Sequence, residues 1–226
     1  MQQATSRLRA RGAAIATFGL TLLAPLAAHA GEIPTAQDVE NVDPFFRGAR
    51  EVRALDWDRD GRLDVVGIGI VEGSASYWRN GEFGWIENGL AGFGPYTSLD
   101  IGDLNGDGTT DVVYTIGDSA ATNDRVGGYL NRPGILGFPI ALGDEVDHPI
   151  SVRLGDFDDD GDLDAVSLEF GSREINLHEN AGDGVTWTTS TISTLANRPS
   201  DAVVHDVDLD GDLDVVIITG SDLVWL

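Results

Sequence analysis

Residues 156–164 read Asp-Phe-Asp-Asp-Asp-Gly-Asp-Leu-Asp, and this stretch has three close relatives elsewhere in the 226-residue chain. The four stretches are loop 1 (56–64), loop 2 (103–111), loop 3 (156–164) and loop 4 (206–214). Each has Asp or Asn at positions 1, 3 and 5, Gly at position 6 and Asp at position 9. Because successive loops start about 50 residues apart, the spacing predicts four copies of one supersecondary unit.

The spacing of the acidic side chains indicates a calcium site in each loop. Oxygen atoms at positions 1, 3 and 5 can converge on one point, Gly at position 6 permits a sharp turn, and hard oxygen ligands suit Ca²⁺. We expect a backbone carbonyl ligand at position 7, a closing carboxylate at position 9, and up to four Ca²⁺ ions. Without a cation, the close carboxylates would repel by about 1 kcal/mol or more per pair. The predicted ligands are Asp56, Asp58, Asp60, Arg62, Asp64, Asp103, Asn105, Asp107, Thr109, Asp111, Asp156, Asp158, Asp160, Asp162, Asp164, Asp206, Asp208, Asp210, Asp212 and Asp214.

The EF-hand is the main alternative for such a loop, and the sequence disagrees with it in two respects. An EF-hand needs a bidentate Glu at position 12, whereas position 12 here is Gly67, Tyr114, Ser167 or Ile217. An EF-hand loop also lies between helices, but these loops run directly into β-branched residues, as at Val215-Val216. The sequence therefore favours a calcium loop between two strands.

The residues around each loop have the alternation of β-strands. Apolar residues stand four and two places before each loop, as at Val152 and Leu154, with mainly polar residues between them. A second strand follows each loop, and later markers indicate a third and a fourth strand. The markers are Asn80, Asn131 and Asn180 for the third strand and Trp85, Phe138 and Trp187 for the fourth. Four antiparallel strands in about 50 residues are typical of a β-propeller blade. The predicted fold is an all-β propeller of about four blades.

The two ends of the chain leave two arrangements open. The sequence stops at Trp225-Leu226, where earlier repeats have their third strand. Residues 36–42 stand before loop 1 where a fourth strand stands before the later loops. They are candidates for the missing strand, which would close a small four-bladed ring and remove exposed sheet edges. The alternative is part of a larger propeller, truncated or completed by another chain.

The first 30 residues are interpreted as a secretory signal peptide. Arg7, Arg9 and Arg11 precede an apolar run over 13–28, and Ala28-His29-Ala30 has small residues where a signal peptidase cleaves. A membrane anchor or a first helix is the alternative, but an interrupted run of this length is short for a bilayer span. We expect a bacterial-type secreted or periplasmic protein whose propeller domain covers 31–226, without membrane insertion.

The charge of the chain excludes several classes of partner. The formal net charge is −24, and all 14 basic residues are arginines. Nucleic acids and anionic lipid surfaces require clustered positive charge, so we expect neither as a partner. The absence of cysteine excludes disulfides, thiol catalysis and cysteine zinc sites.

The tandem loops followed by Val-Val resemble the FG-GAP/VCBS repeats of bacterial secreted proteins and of integrin α-chain propellers. The resemblance covers about residues 36–226 and implies one Ca²⁺ between the first two strands of each blade. The sequence departs from the family in lacking its Phe-Gly…Gly-Ala-Pro signature, of which Phe93-Gly94-Pro95 is a faint echo. It also has four loops, whereas family propellers commonly have seven blades.

The connections that lead into each first strand contain the candidate ligand-binding residues. These connections lie at one end of a propeller channel, and they contain Arg47, Tyr96, His148 and Arg198. The competing interpretation for each is a loop residue that caps or packs locally. His178 and His205 are interpreted as structural residues.

The sequence favours a non-catalytic binding or adhesion module with a protein or glycan ligand that it does not identify. No Gly-x-Ser-x-Gly elbow, His-Glu-x-x-His helix or phosphate-binding glycine loop is present. Carboxylates arranged around Ca²⁺ stay ionised, so they are poor general acids for glycoside hydrolysis. The alternatives are a propeller-based carbohydrate-active enzyme, such as a polysaccharide lyase using Arg and His or Tyr, and a structural segment of a larger adhesin.

Overall fold

The computed structural model describes residues 48–69, 75–90, 94–117, 123–132, 135–143 and 146–226. The predicted signal peptide, the candidate closing strand 36–42, Arg47 and Phe93 lie outside these residues. The described part of the chain contains fifteen β-strands. Within it, no helix has the length and apolar character needed to cross a membrane.

The strands form four antiparallel sheets in which each strand pairs with its neighbours in sequence. The first sheet contains β1 (Ala49–Leu55), β2 (Asp64–Gly69), β3 (Ala75–Gly81) and β4 (Gly84–Gly89). The second contains β5 (Tyr96–Gly102), β6 (Asp111–Ile116), β7 (Arg125–Arg132) and β8 (Ile135–Gly143). The third contains β9 (Pro149–Gly155), β10 (Asp164–Glu169), β11 (Glu174–Asn180) and β12 (Trp187–Thr194). The fourth contains β13 (Pro199–His205), β14 (Asp214–Thr219) and β15 (Leu223–Trp225).

Each acidic loop joins the first two strands of its sheet. The residue just before the loop pairs with the Asp at position 9, as Leu55 does with Asp64 and His205 with Asp214. The register is therefore the same at all four loops. Consecutive antiparallel sheets of this kind are propeller blades, and the predicted all-β propeller fold is confirmed. The fourth sheet has three strands among the described residues, so four strands per repeat applies to the first three sheets.

The sheets pack on one another in chain order because side chains alternate between the two faces of a strand. If the numbering of the loop is continued into the second strand, positions 11 and 13 face the following sheet. Positions 10 and 12 of the second, third and fourth sheets face the preceding sheet. Between the first two sheets, Val66 and Ile68 pack in one cluster with Tyr114. Between the last two, Leu168 packs in a cluster with Ile217. A further cluster joins the second and third sheets.

The outer side of the fourth sheet is exposed at the positions that are buried in the other sheets. Ile218, at position 13, is 55% exposed, whereas Ile68 at the same position of the first sheet is 1% exposed. Val216 at position 11 pairs with Val203 and Trp225, which are both exposed. The three clusters thus join four sheets, and no apolar cluster of the described residues covers this outer side.

A buried polar network lies between the second and third sheets. His178 contacts Ser167 Oγ through Nε2 at 2.9 Å and Thr189 Oγ1 through Nδ1 at 2.8 Å. Asn176 donates to Glu169 Oε1 at 3.0 Å. His178 and Glu169 have no exposed surface. Burial lowers the pKa of His178 to about 4 and raises the pKa of Glu169 to about 7. Because Ser167 is buried as well, this serine–histidine pair is inaccessible to a substrate.

Replacing Ile68 by Ala should lower the free energy of unfolding by about 2–5 kcal/mol, because it leaves a cavity between packed sheets. Ile218→Ala is the matched control at the same repeat position on the exposed side, and should cost less than about 1 kcal/mol. Urea unfolding followed by tryptophan fluorescence measures both. Equal costs would show that the outer side of the fourth sheet is buried in solution, contrary to this structure.

Glu169 should make stability fall as pH rises. Its pKa is about 7 in the folded protein against an ordinary value of 4.5, so the native state binds more protons than the unfolded chain between these values. The stabilisation is complete below about pH 4.5 and is lost as pH rises through about 7, with a total of up to about 3 kcal/mol. Urea unfolding at constant calcium from pH 5 to 8 should show this decline, and Glu169→Gln should reduce it. The same pH dependence in both proteins would contradict the assignment to Glu169.

Candidate metal centre

The first Asp of each loop closes the turn by accepting backbone hydrogen bonds. In loop 1, Asp60 and Gly61 donate their N–H groups to the carboxylate of Asp56 at 3.0 and 2.9 Å. Loops 2 and 4 contain the same two bonds, and loop 3 contains the bond from Gly161. The repeated sequence therefore produces one repeated loop conformation.

Two positions of each loop have a left-handed backbone. Glycine at position 6 has φ between +76° and +107° in the four loops, a region that suits a residue without Cβ. Position 4 is also left-handed, although three loops have a larger residue there: Arg59, Asp159 and Leu209 have φ of 60°, 60° and 64°. The glycine at position 6 predicts the first of these positions in every loop, whereas only Gly106, in loop 2, indicates the second.

The carboxylate at position 9 connects the loop to the rest of its sheet. In loop 2, Asp111 accepts N–H groups from Leu104 at 2.8 Å and from Asn131 in β7 at 2.7 Å. Loops 1 and 3 have the same two bonds at Asp64 and Asp164. All three carboxylates lack exposed surface. Burial raises the pKa of each, to about 6 for Asp111.

Loop 4 holds its position-9 carboxylate differently. Asp214 accepts the N–H group of Val207 at 2.7 Å but is partly exposed. The hydrogen bond from Val207 lowers the pKa of Asp214. The buried carboxylate of the first three loops is therefore replaced in loop 4 by a more hydrated one.

Positions 5 and 7 lie next to each other in every loop. The N–H group at position 7 donates to the position-5 carboxylate, at 2.9 Å from Arg62 to Asp60 and at 2.7 Å from Thr109 to Asp107. The same bond is 2.9 Å in loop 3 and 3.0 Å in loop 4. Position 5 thus stays beside the backbone segment whose carbonyl the sequence predicts as a ligand.

The donor set in the loops fits a hard divalent cation. One oxygen from each of Asp56, Asp58 and Asp64 lies within 4.8 Å of the others. Loop 3 has a cluster at the same positions, with Asp156, Asp158 and Asp164, whereas the cluster in loop 4 contains positions 1, 3 and 5, with Asp206, Asp208 and Asp210. Asp156 Oδ1 is buried and has no hydrogen-bond partner among the described residues. A bound cation would satisfy this oxygen and offset the repulsion between the carboxylates.

Asparagines of the third strands extend these contacts to the neighbouring loop, which sequence reasoning missed. The side chain of Asn131 donates to the carbonyl of Trp57 in loop 1 at 2.9 Å. Asn180 donates to the carbonyl of Leu104 in loop 2 at 2.7 Å. The signal in the sequence is the recurrence of asparagine at the end of each third strand, as at Asn131 and Asn180.

The four candidate ligand-binding residues have different surroundings. Tyr96 has no exposed surface and contacts the ring of Tyr114 edge-on, with centroids 5.2 Å apart. Burial raises its pKa, and its side chain offers no surface to a ligand. Arg47 lies outside the described residues. His148 and Arg198 are brought together, since both contact the ring of Phe170, at 5.3 Å between centroids and 4.5 Å from Cζ respectively.

A polar cavity of about 270 Å³ lies beside this cluster and is lined by Gly171, Arg173, Ala196, Asn197 and Arg198. Arg173 donates to the carbonyl of Ala196 at 3.0 Å, and Asn197 to Asp222 at 2.7 Å. Neither Arg173 nor Arg198 forms an ion pair with a described residue. The guanidinium groups therefore keep donors available to a ligand.

A smaller polar cavity, of about 180 Å³, lies between the first strands of all four sheets. Arg153 in β9 pairs there with Glu51 at 3.6 Å and with Asp201 at 2.6 Å. Ser98 also donates to Glu51 at 2.9 Å. Glu51, Arg153 and Asp201 satisfy one another in this cavity, whereas Arg50, which also lines it, forms no ion pair with a described residue.

The comparisons with known proteins concern the repeats and the fold. One similar solved structure is that of an Agrocybe aegerita lectin, whose title describes specific recognition of non-reducing terminal N-acetylglucosamine. The match has 20% identity and a TM-score of 0.48, and it covers 73% of this chain and 45% of that one. The chain thus spans less than half the length of that protein. The search of curated proteins gives no match.

The family comparison matches the segments that contain the acidic loops. The model of the FG-GAP-like repeat matches residues 56–114 and 156–217, which together form more than half of the chain. Loops 1 and 2 lie in the first segment, and loops 3 and 4 in the second. The chain belongs to the FG-GAP-like repeat family.

Proposed function

We propose that this protein is a secreted or periplasmic calcium-binding β-propeller protein that acts as a non-catalytic binding or adhesion module. The main support is the recurrence of one carboxylate-rich loop at the same point of all four sheets, with converging carboxylates in loops 1, 3 and 4 and the orphan oxygen of Asp156 in loop 3. The proposed location follows from the signal-like first 30 residues. It is consistent with weak calcium sites, since extracellular modules bind Ca²⁺ at about 10⁻⁴–10⁻³ M.

The proposed calcium ions would raise the free energy of unfolding. At roughly millimolar free Ca²⁺, a site of this affinity contributes about 0.4–1.4 kcal/mol to the free energy of unfolding. In each of the first three loops, the position-9 carboxylate links the loop to a third strand. A cation held by that carboxylate would therefore stabilise the sheet as well as the turn.

The cavity at Arg173 and Arg198 is the proposed ligand site. Its free guanidinium donors suit a carboxylate, for which Arg has a matching planar geometry. The aromatic ring of Phe170 holds Arg198 in place through a cation–π contact. We therefore propose a ligand that carries a carboxylate, such as an acidic glycan.

A structural segment of a larger repeat assembly is the second candidate. The exposed outer side of the fourth sheet favours it, because the equivalent side of each other sheet is covered by a further sheet. Equal destabilisation by Ile218→Ala and Ile68→Ala would support this candidate, because it would show that the outer side of the fourth sheet is covered in solution.

Excess EGTA should lower the melting temperature by about 4–20 °C, since four sites together contribute about 2–6 kcal/mol. Differential scanning calorimetry of the mature protein in calcium and in EGTA measures the change. In calcium, Asp158→Asn should melt below the control Glu82→Gln, which removes one exposed charge outside the loops. In EGTA the two variants should melt at the same temperature. A melting temperature unaffected by EGTA would contradict calcium-dependent stability.

Arg198→Ala should weaken binding of a uronic-acid oligosaccharide at least about tenfold, by removing a charge-assisted contact. Arg132→Ala is the matched control, because Arg132 makes a similar cation–π contact with Phe138 at 4.6 Å. Isothermal titration calorimetry should also show that the wild-type protein binds a neutral oligosaccharide of equal length more weakly than the uronic-acid oligosaccharide. Equal affinity for both sugars, or an equal effect of both variants, would exclude the proposed site.

A further inference from the structure

Buried asparagines connect successive acidic loops along the chain of sheets. The side-chain amide of Asn131 donates to the carbonyl of Trp57, at position 2 of loop 1. The backbone N–H group of the same Asn131 donates to Asp111, at position 9 of loop 2. One residue of the second sheet therefore holds two loops at once.

The next pair of loops repeats this arrangement. Asn180 donates through its side chain to the carbonyl of Leu104, at position 2 of loop 2, at 2.7 Å. Its backbone N–H group donates to Asp164 of loop 3 at 2.8 Å. The two contacts span 76 and 16 residues in sequence, so the connection is made by tertiary packing.

The connection also continues within each loop. The N–H group of Trp57 donates to Asp64 in loop 1 at 2.9 Å, and that of Leu104 donates to Asp111 in loop 2 at 2.8 Å. The residue at position 2 thus donates its N–H group to its own position-9 carboxylate and accepts, at its carbonyl, the asparagine of the next sheet. A continuous series of hydrogen bonds runs from Asp64 to Asp164.

Burial makes these bonds costly to break. Asn131 is 1% exposed and Asn180 is 4% exposed, so water cannot replace a lost partner, and an unpaired buried polar group is strongly unfavourable. A movement of one position-9 carboxylate must therefore be followed by the asparagine or leave a buried group without a partner.

The series includes loops 1, 2 and 3 but not loop 4. Among the described residues, the third strand of the fourth sheet places no asparagine side chain on loop 3. Asp214 of loop 4 is partly exposed and is held by the N–H group of Val207 and by the side chain of Trp225 in its own sheet. Loop 4 therefore provides an internal comparison with the same ligand types and without the connection.

We propose that Asn131 and Asn180 couple the first three loops, so that Ca²⁺ bound in one loop raises the affinity of the next, a coupling that the described residues do not extend to loop 4. This inference rests on the proposed calcium binding. A cation fixes the position-9 carboxylate, and the asparagine transmits that fixed position to the peptide at position 2 of the preceding loop. Coupling between two sites is reciprocal, so either loop of a pair assists the other.

The test removes one loop and measures calcium binding by the others. Asp58→Asn weakens loop 1 and Asp208→Asn weakens loop 4, both at position 3. Competition with a chromophoric chelator gives the affinities of the remaining sites on the mature protein. We expect the affinity of a remaining site to fall about fivefold or more in Asp58→Asn and to stay unchanged in Asp208→Asn. Equal effects of the two variants would overturn the coupling.

A second measurement identifies the residues that transmit the effect. When Asp58→Asn is added to Asn131→Ala, the calcium affinity of the remaining sites should stay unchanged. When Asp58→Asn is added to Asn88→Ala, that affinity should still fall. Asn88 is the matched control because its side chain donates to the carbonyl of Ile86 within one strand. An unchanged response in Asn131→Ala would remove Asn131 from the mechanism. Absence of any calcium binding by the wild-type protein would refute the proposed function itself, which separates that failure from a failure of coupling alone.

Discussion

The structure depends most on a carboxylate that is buried where the first two strands of a sheet meet. In the first three sheets the Asp at position 9 has no exposed surface, and an ionised group in such a place needs hydrogen bonds and a counter-charge. It receives two backbone N–H groups, one from its own loop and one from the third strand, as Asp164 does from Phe157 and Asn180. The same residue thus fixes the loop, the strand register and the position of the third strand. The proposed cation would supply the counter-charge at this point of the fold.

The alternation of side chains explains how such sheets combine. Each second strand presents positions 10 and 12 to one side and positions 11 and 13 to the other, so every sheet can pack between two others. The fourth sheet shows the consequence when one side is not covered: Val215 and Ile217 are buried against the third sheet, whereas Ile218 is exposed. The same repeat position is therefore buried where another sheet packs on it and exposed where none does.

Sequence reasoning succeeded where the determining interactions are local and was incomplete where they are distant. The loops and strands follow from ligand spacing and alternation, which are confined to about ten residues. The bond from Asn180 to Leu104 spans 76 residues, and no local pattern indicates it. Tyr96 stands at the entrance to a strand, but its side chain turns into the core. His148 and Arg198 stand in equivalent connections of successive repeats, but their shared contact with Phe170 arises from tertiary packing.

The acidic loops lie at the far end of the sheets from the proposed anion site, which matters in a protein with a net charge of −24. Strand β10 runs from loop 3 to the turn that contains Arg173, and its six residues span about 20 Å. The Debye length at physiological ionic strength is about 8 Å, so the repulsion from the loops is largely screened at the opposite end of the sheet. Bound cations would reduce it further. The charges that act most strongly on a ligand in the proposed site are therefore the local ones, which are Arg173 and Arg198 together with the carboxylates of Asp147 and Asp222.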